Sequence, residues 1–387
     1  EYDLAMLDEL LRERPVRGAA RYLTTVNEFL GRSLRAQWHR SSAKWSPADG
    51  LVDPSNEARV ALQRHALTAR SYSATALQNY AACPYRFFLQ AIHKLQPREE
   101  PQRIDTLDPI SRGSLLHEVQ FLLLRELQAA RMLPLTAAKL DDARSRMQRL
   151  LGEVAAKFKD ELAPAIERVW DDGVASVRAD LGELLRRMTE EPRWVPWRFE
   201  LAFGLPLDDE GDRDEHSSKE PVQLAHLKLR GSIDLVERDA ATGALRATDY
   251  KSGKAWAPEG TVIGGGQVLQ PALYALALEK QFPEVKTESG RLYYCTHRGG
   301  YAERVIALDQ EVRGSIEVLT QTIGGSLTEG FFPAAPLRKR EQSECARCDY
   351  LPVCGPGADK RASSKERRTG PQKPSRLVQL GRLRELP

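Results

Sequence analysis

Apolar residues recur along this chain with two periods, and the two are segregated. Spacing of three or four, the mark of a half-buried helix, comes first, over residues 7–11 and 20–34. A polar stretch through Pro47, Pro54 and Asn56 follows, so residues 1–70 read as the tail of a preceding domain plus a linker. Ser73 is placed to cap a helix carrying Leu77 and Tyr80, and Cys83-Pro84 opens a second helix with Tyr85, Phe87 and Phe88. From Arg112 to about Met188 the period is helical again (Leu115, Leu116, Val119, Leu122, Leu123), with breaks expected at Pro134 and Pro164. Strand-like alternation begins at Trp194. Residues 208–221, DDEGDRDEHSSKEP, are charged and poor in apolar side chains, which predicts a solvated or disordered loop. Two strands are expected over 223–237 and 245–251, a helix over 270–281, alternating segments over 291–296 and 302–308, and a helix from about 310 to 328. From Ala358 the chain turns basic (Lys360, Arg361, Lys365, Arg367, Arg368, Lys373, Arg376), which predicts a flexible tail over 358–387. The succession indicates an α/β fold.

The most informative stretch runs from Leu227 to Lys251. Leu227, Leu229, Ile233 and Leu235 share one parity, and Lys228, Arg230, Ser232 and Asp234 the other, so one face is apolar and the other ends in a carboxylate. On the next strand Asp249 and Lys251 share a face, roughly 6.5–7 Å apart along it. Ala240-Ala241-Thr242-Gly243 suits a four-residue hairpin loop. If Asp239 pairs with Ala244, Asp234 comes to face Asp249. Two carboxylates held together repel unless a cation sits between them, and hard oxygen ligands suit Mg²⁺ or Mn²⁺. A lysine two residues on can orient a water or offset charge growing on a phosphate.

Composition narrows the classes without choosing among them. The 387 residues are 41% hydrophobic and 29% charged, with a formal net charge of +3, so a nucleic-acid surface would have to be a local patch. No apolar run is long enough to span a bilayer, which predicts no membrane partner. With Glu1 first and no signal pattern, the sequence reads as a piece of a longer protein. No Walker A pattern occurs, so any ATP-driven motor would lie elsewhere.

Several motifs, taken in order, resemble the PD-(D/E)XK nuclease superfamily in its RecB/AddB-like branch. GSLLH at residues 113–117 is similar to the helix motif whose histidine joins the metal shell. GSID at 231–234 resembles the strand with the first metal-binding aspartate, and DYKSGK at 249–254 the D/E-x-K strand. QPALY at 270–274 resembles the Q-x-x-x-Y helix that positions DNA. The resemblance covers about residues 71–357 and implies a mixed central sheet flanked by helices, with a helical insertion over about 118–192. It implies a Mg²⁺ or Mn²⁺ site of His117, Asp234, Asp249 and the carbonyl of Tyr250, with Asp234, Asp249 and Lys251 catalytic and Gln270 and Tyr274 positioning DNA. Phe121 stands where many relatives carry an acidic residue. The implied function is an exonuclease acting on DNA ends in the cytoplasm, with a helicase subunit or an N-terminal helicase-like region as partner, in double-strand-break repair and recombination. A catalytically silent scaffold and a stand-alone exonuclease of the CRISPR-associated kind are the alternatives.

Five cysteines, three of them compact at Cys345, Cys348 and Cys354, point to metal ligation in a reducing compartment rather than to disulfides. Three thiolates need a fourth ligand, and Cys83 is the candidate. The arrangement resembles the iron–sulfur staple of AddB-type nucleases, which implies a [4Fe–4S] cluster over residues 341–357 with Cys83; zinc is the alternative metal. Cys295 reads as a core residue.

Overall fold

The computed structural model describes residues 17–52, 55–97, 107–206, 213–339, 342–369 and 374–387, together with Glu9. Apart from Glu9, the helical spacing over 7–11 lies outside the described residues. Helices α1 (Arg17–Val26) and α2 (Glu28–Ser41) come first, and Asn27 caps α2 by accepting the Leu30 amide at 3.0 Å. After α3 (Asn56–Gln63), a short β1 (Ser71–Ser73) leads into α4 (Ala74–Ala82), where Ser73 Oγ accepts the Ala76 amide at 3.2 Å, as a helix cap does. Pro84 then starts α5 (Pro84–Phe87), which continues as a wider turn over Phe88–Ile92.

Three long helices follow, α6 (Pro109–Ala129), α7 (Leu140–Leu162) and α8 (Glu167–Glu190), and the connections between them contain Pro134 and Pro164. Their apolar stripes (Leu116, Leu127, Leu151, Leu181) bury against Phe199, Leu235, Tyr250 and Tyr293 of the sheet. Each fully buried leucine contributes about 1.5–3 kcal/mol, so this face anchors the fold.

The sheet is built on one long strand. In chain order its members are β1, β2 (Trp194–Phe203), β3 (Val222–Leu224), β4 (Leu227–Asp239), β5 (Leu245–Tyr250), β6 (Thr287–Tyr293) and β7 (Glu303–Ala307). The start of β4 pairs with β1 in parallel and with β3 antiparallel; its later part runs antiparallel to both β2 and β5. Then β5 and β6 pair in parallel, and β6 and β7 antiparallel. The result is a mixed sheet with helices on it. Helix α9 (Gln270–Gln281) packs on β5 and β6, on the face opposite Tyr250 and Tyr293 by the alternation of the strands. Helix α10 (Gln310–Glu329) follows β7.

Two compact units divide the chain. One gathers Glu1–Gln63, Ala82–Pro97 and Gly325–Gln379; the other gathers Arg64–Ala81, Arg98–Gly324 and Leu380–Pro387 and holds the sheet. In the first, Lys365 is buried and its ammonium meets Asp49 Oδ2 at 2.5 Å, Lys44 O at 2.8 Å and His39 O at 3.1 Å.

Three expectations change. The single strand over 223–237 is two, because the chain turns at Ala225-His226 and Leu224 pairs with Leu227. The described part of the acidic loop, 213–221, is laid along β2: Ser218 bonds Ala202 O and Gly204 N, each at 2.9 Å, and Glu215 bonds Arg198 at 2.8 Å. The basic tail contains two helices, α12 (Ala358–Thr369), after a short α11 (Leu351–Cys354), and α13 (Ser375–Arg384). Its apolar residues are few but regularly spaced: Ala358 and Ala362 are buried on α12, and Leu377, Leu380 and Leu383 on α13.

Candidate active site

The hairpin that carries the acidic residues follows the register expected from its turn. The Asp239 amide donates to Ala244 O at 2.8 Å, and Asp239 Oδ1 accepts the Ala241 and Thr242 amides at 2.8 and 2.9 Å. Pairing then runs from Arg238–Leu245 to Leu235–Thr248. Beyond that pair the ladder stops, and the Tyr250 amide donates to Asp234 Oδ2 at 2.7 Å. Asp234 is thereby aimed by the strand that bears Asp249.

His117 reaches the same carboxylate from α6, with Nδ1 3.6 Å from Asp234 Oδ2. The third member was missed in the sequence. Glu200, on β2, accepts Ser232 Oγ at 2.9 Å, and ligand atoms of His117, Glu200 and Asp234 lie within 4.8 Å of one another. Glu200 has φ +50°, a left-handed backbone that costs a non-glycine residue about 1–3 kcal/mol and recurs at functional sites. Burial, then the charge of Asp234, pushes its carboxyl up to about 7. A faint signal existed: Glu200 is an acidic residue among Phe199, Leu201, Ala202 and Phe203.

Asp249 is 3% exposed and stands beside this trio. Its Oδ1 accepts Gln270 Nε2 at 2.8 Å and its Oδ2 lies 2.5 Å from Lys251 Nζ. Burial pushes the Asp249 carboxyl up to about 6; Lys251 opposes this and Asp234 adds to it. Burial alone would lower the Lys251 ammonium, but Asp249 and Asp234 outweigh it and hold the pKa above its ordinary value. Gln270 thus spends its amide on the carboxylate. Tyr274, one turn further along α9, is 6% exposed and packs edge-on to Phe203, its centroid 6.2 Å away. Gly231 makes room for it: a Cβ there would stand 3.0 Å from Tyr274 Cε1.

Oxygen donors with one imidazole, gathered at a half-buried and mutually repelling set of carboxylates, fit a divalent cation such as Mn²⁺ or Mg²⁺. Within the other unit, Cys83, Cys345, Cys348 and Cys354 line one cavity with Tyr85 and Leu89. Burial, then the neighbouring thiols, pushes the Cys354 thiol up to about 12. Cys295 is buried, with Gln120 Nε2 at 3.7 Å, and is a core residue.

Strand order, the acidic hairpin with its lysine and the glutamine helix define a known class of fold. The chain belongs to the PD-(D/E)XK nuclease superfamily, which it matches over residues 71–355. Among curated proteins, it is similar to a subunit of the ATP-dependent helicase/deoxyribonuclease of Moorella thermoacetica, at 23% identity over 363 aligned positions. The match takes in 73% of this chain and 30% of that protein, so the chain spans under a third of the relative's length. No helix among the described residues is long and apolar enough to cross a membrane.

Proposed function

We propose that this chain is a deoxyribonuclease that hydrolyses phosphodiester bonds at DNA ends with the help of Mg²⁺ or Mn²⁺. The observation that carries the reading is the convergence of His117, Glu200, Asp234, Asp249 and Lys251 at the point where β4 and β5 part. His117, Glu200, Asp234, Asp249 and the carbonyl of Tyr250 would hold the cation. When bound, it supplies charge neutralisation at the phosphate and a more acidic water. Lys251 presents an ammonium for charge growing on phosphate oxygens and a donor for the attacking water. Gln270 fixes the rotation of Asp249, and Tyr274 supports the strand at Gly231, so DNA positioning by this helix acts through the site's own carboxylates.

The relative's name supports a helicase-associated deoxyribonuclease, with a helicase subunit or region supplying strands; the same reading has it trim broken DNA ends for recombination in the cytoplasm. In the same reading, Cys83, Cys345, Cys348 and Cys354 hold a [4Fe–4S] cluster. Zinc on the same four thiolates is the alternative.

The test is cleavage of end-labelled linear DNA, single- and double-stranded, by protein purified without oxygen. Cleavage should need Mg²⁺ or Mn²⁺, stop with EDTA and vanish in Asp249→Ala. Lys251→Ala should bind DNA without cutting it. Binding without cleavage by the unaltered chain, with or without its helicase, would favour a silent scaffold instead.

A further inference from the structure

The loop between the lysine strand and α9 is tied down by the last residues of the chain. Gly264, Gly265 and Gly266 have φ of +54°, +63° and +83°, a left-handed run that side chains disfavour. Onto it folds the segment after α13. The Ile263 and Gly264 amides donate to Pro387 O at 2.7 and 2.9 Å, and the Gly265 amide donates to Leu386 O at 2.9 Å. The approach is close: a Cβ on Gly265 would stand 2.6 Å from Arg384 O. The segment is itself anchored, with Leu380 and Leu383 buried and Arg384 Nε donating to Ala81 O at 2.9 Å. On the far side of the glycines, Gln78 donates to Gln267 O, and buried Val268 and Leu269 lead straight into α9, whose first residue holds Asp249.

We propose that residues Arg384–Pro387 form a strap that positions the start of α9, and through Gln270 the carboxylate of Asp249, for the reaction. The inference rests on the nuclease reading for its effect on rate, while the ordering of the loop stands apart from it. Two backbone carbonyls, those of Leu386 and Pro387, reach three consecutive amides that neither a helix nor the sheet uses. Without them, the backbone of that stretch would keep its internal turn and the buried Ile263 but lose this tie, and Gln270 would reach Asp249 from a looser base. The basic tail is then a working part of the site rather than a solubilising appendage.

The experiment deletes residues 385–387 from the full chain and, separately, makes Gly265→Ala. In both, amide exchange over residues 263–270 should quicken while the rest of the sheet stays protected. The rate kcat should fall about tenfold with KM for DNA within about twofold, the size of effect seen when an outer partner of a metal ligand is lost. In a Gln270→Ala background the deletion should add less than about twofold, because both changes act on one contact. Unchanged exchange at 263–270 would overturn the strap. A full tenfold loss that persists without Gln270 would overturn its action through that residue. Should the unaltered chain cut no DNA, the nuclease reading fails, and the exchange result still decides whether the strap orders the loop.

Discussion

At the scale of single residues, the site is a set of side chains each aimed by another. Asp234 is turned by the Tyr250 amide, Glu200 by Ser232 and a left-handed backbone, and Asp249 by Gln270. Losing an aiming partner should therefore cost rate while sparing the fold. Gln270→Ala is expected to lower activity or metal affinity by about 10–100-fold with an unchanged melting curve. Glu200→Gln should raise the Mn²⁺ concentration needed for half-maximal cleavage by at least about tenfold; equal metal titrations would remove Glu200 from the ligand set. Gly231 is a packing requirement, so Gly231→Ala should destabilise by about 1–3 kcal/mol in urea unfolding by pressing on Tyr274. The acidic pair and its lysine were legible in the sequence because parity alone places them. Glu200 was not, since a lone glutamate in an apolar strand acquires meaning only when β2 is laid beside β4.

Secondary elements add a second buried charge cluster behind the hairpin. Glu237 of β4 accepts Arg246 Nε at 2.8 Å and Arg291 Nη2 at 2.9 Å, and all three are at least nine-tenths buried. Burial works to raise the Glu237 carboxyl, but Arg291 and Arg246 outweigh it and hold it below its ordinary 4.5. A depressed carboxylate stabilises fully above its unfolded value and loses that contribution as pH falls through the folded one. Removing one partner of a buried pair costs about 3–5 kcal/mol, so Glu237→Gln should unfold at lower urea at pH 7. Its stability should also fall less than the unaltered chain's as the pH drops below 4.5; parallel pH curves would sink this account. The hairpin register and α9 could be read beforehand because a turn and a period specify them. The break at Ala225-His226 and the helices in the basic tail could not. The break is a local two-residue turn that pairs Leu224 with Leu227, which apolar alternation alone does not show, and the last helix is settled by a distant segment, with Leu383 beside the glycine loop.

For the whole molecule, the division into two units separates two proposed metal chemistries, with carboxylates in one and thiols in the other. Cys345→Ser should lose iron and colour and lower the unfolding temperature of its own unit, while DNA cleavage per folded molecule persists. Zinc in place of iron in anaerobically purified protein would overturn the cluster. The first unit is also threaded: it opens with residues before the sheet and closes with residues made after it. On a ribosome adding about 5–20 residues per second, Asp49 waits on the order of tens of seconds for Lys365. In that interval the sheet can fold while its companion unit stays open, so a chaperone would meet this protein with its four-thiol unit unfinished.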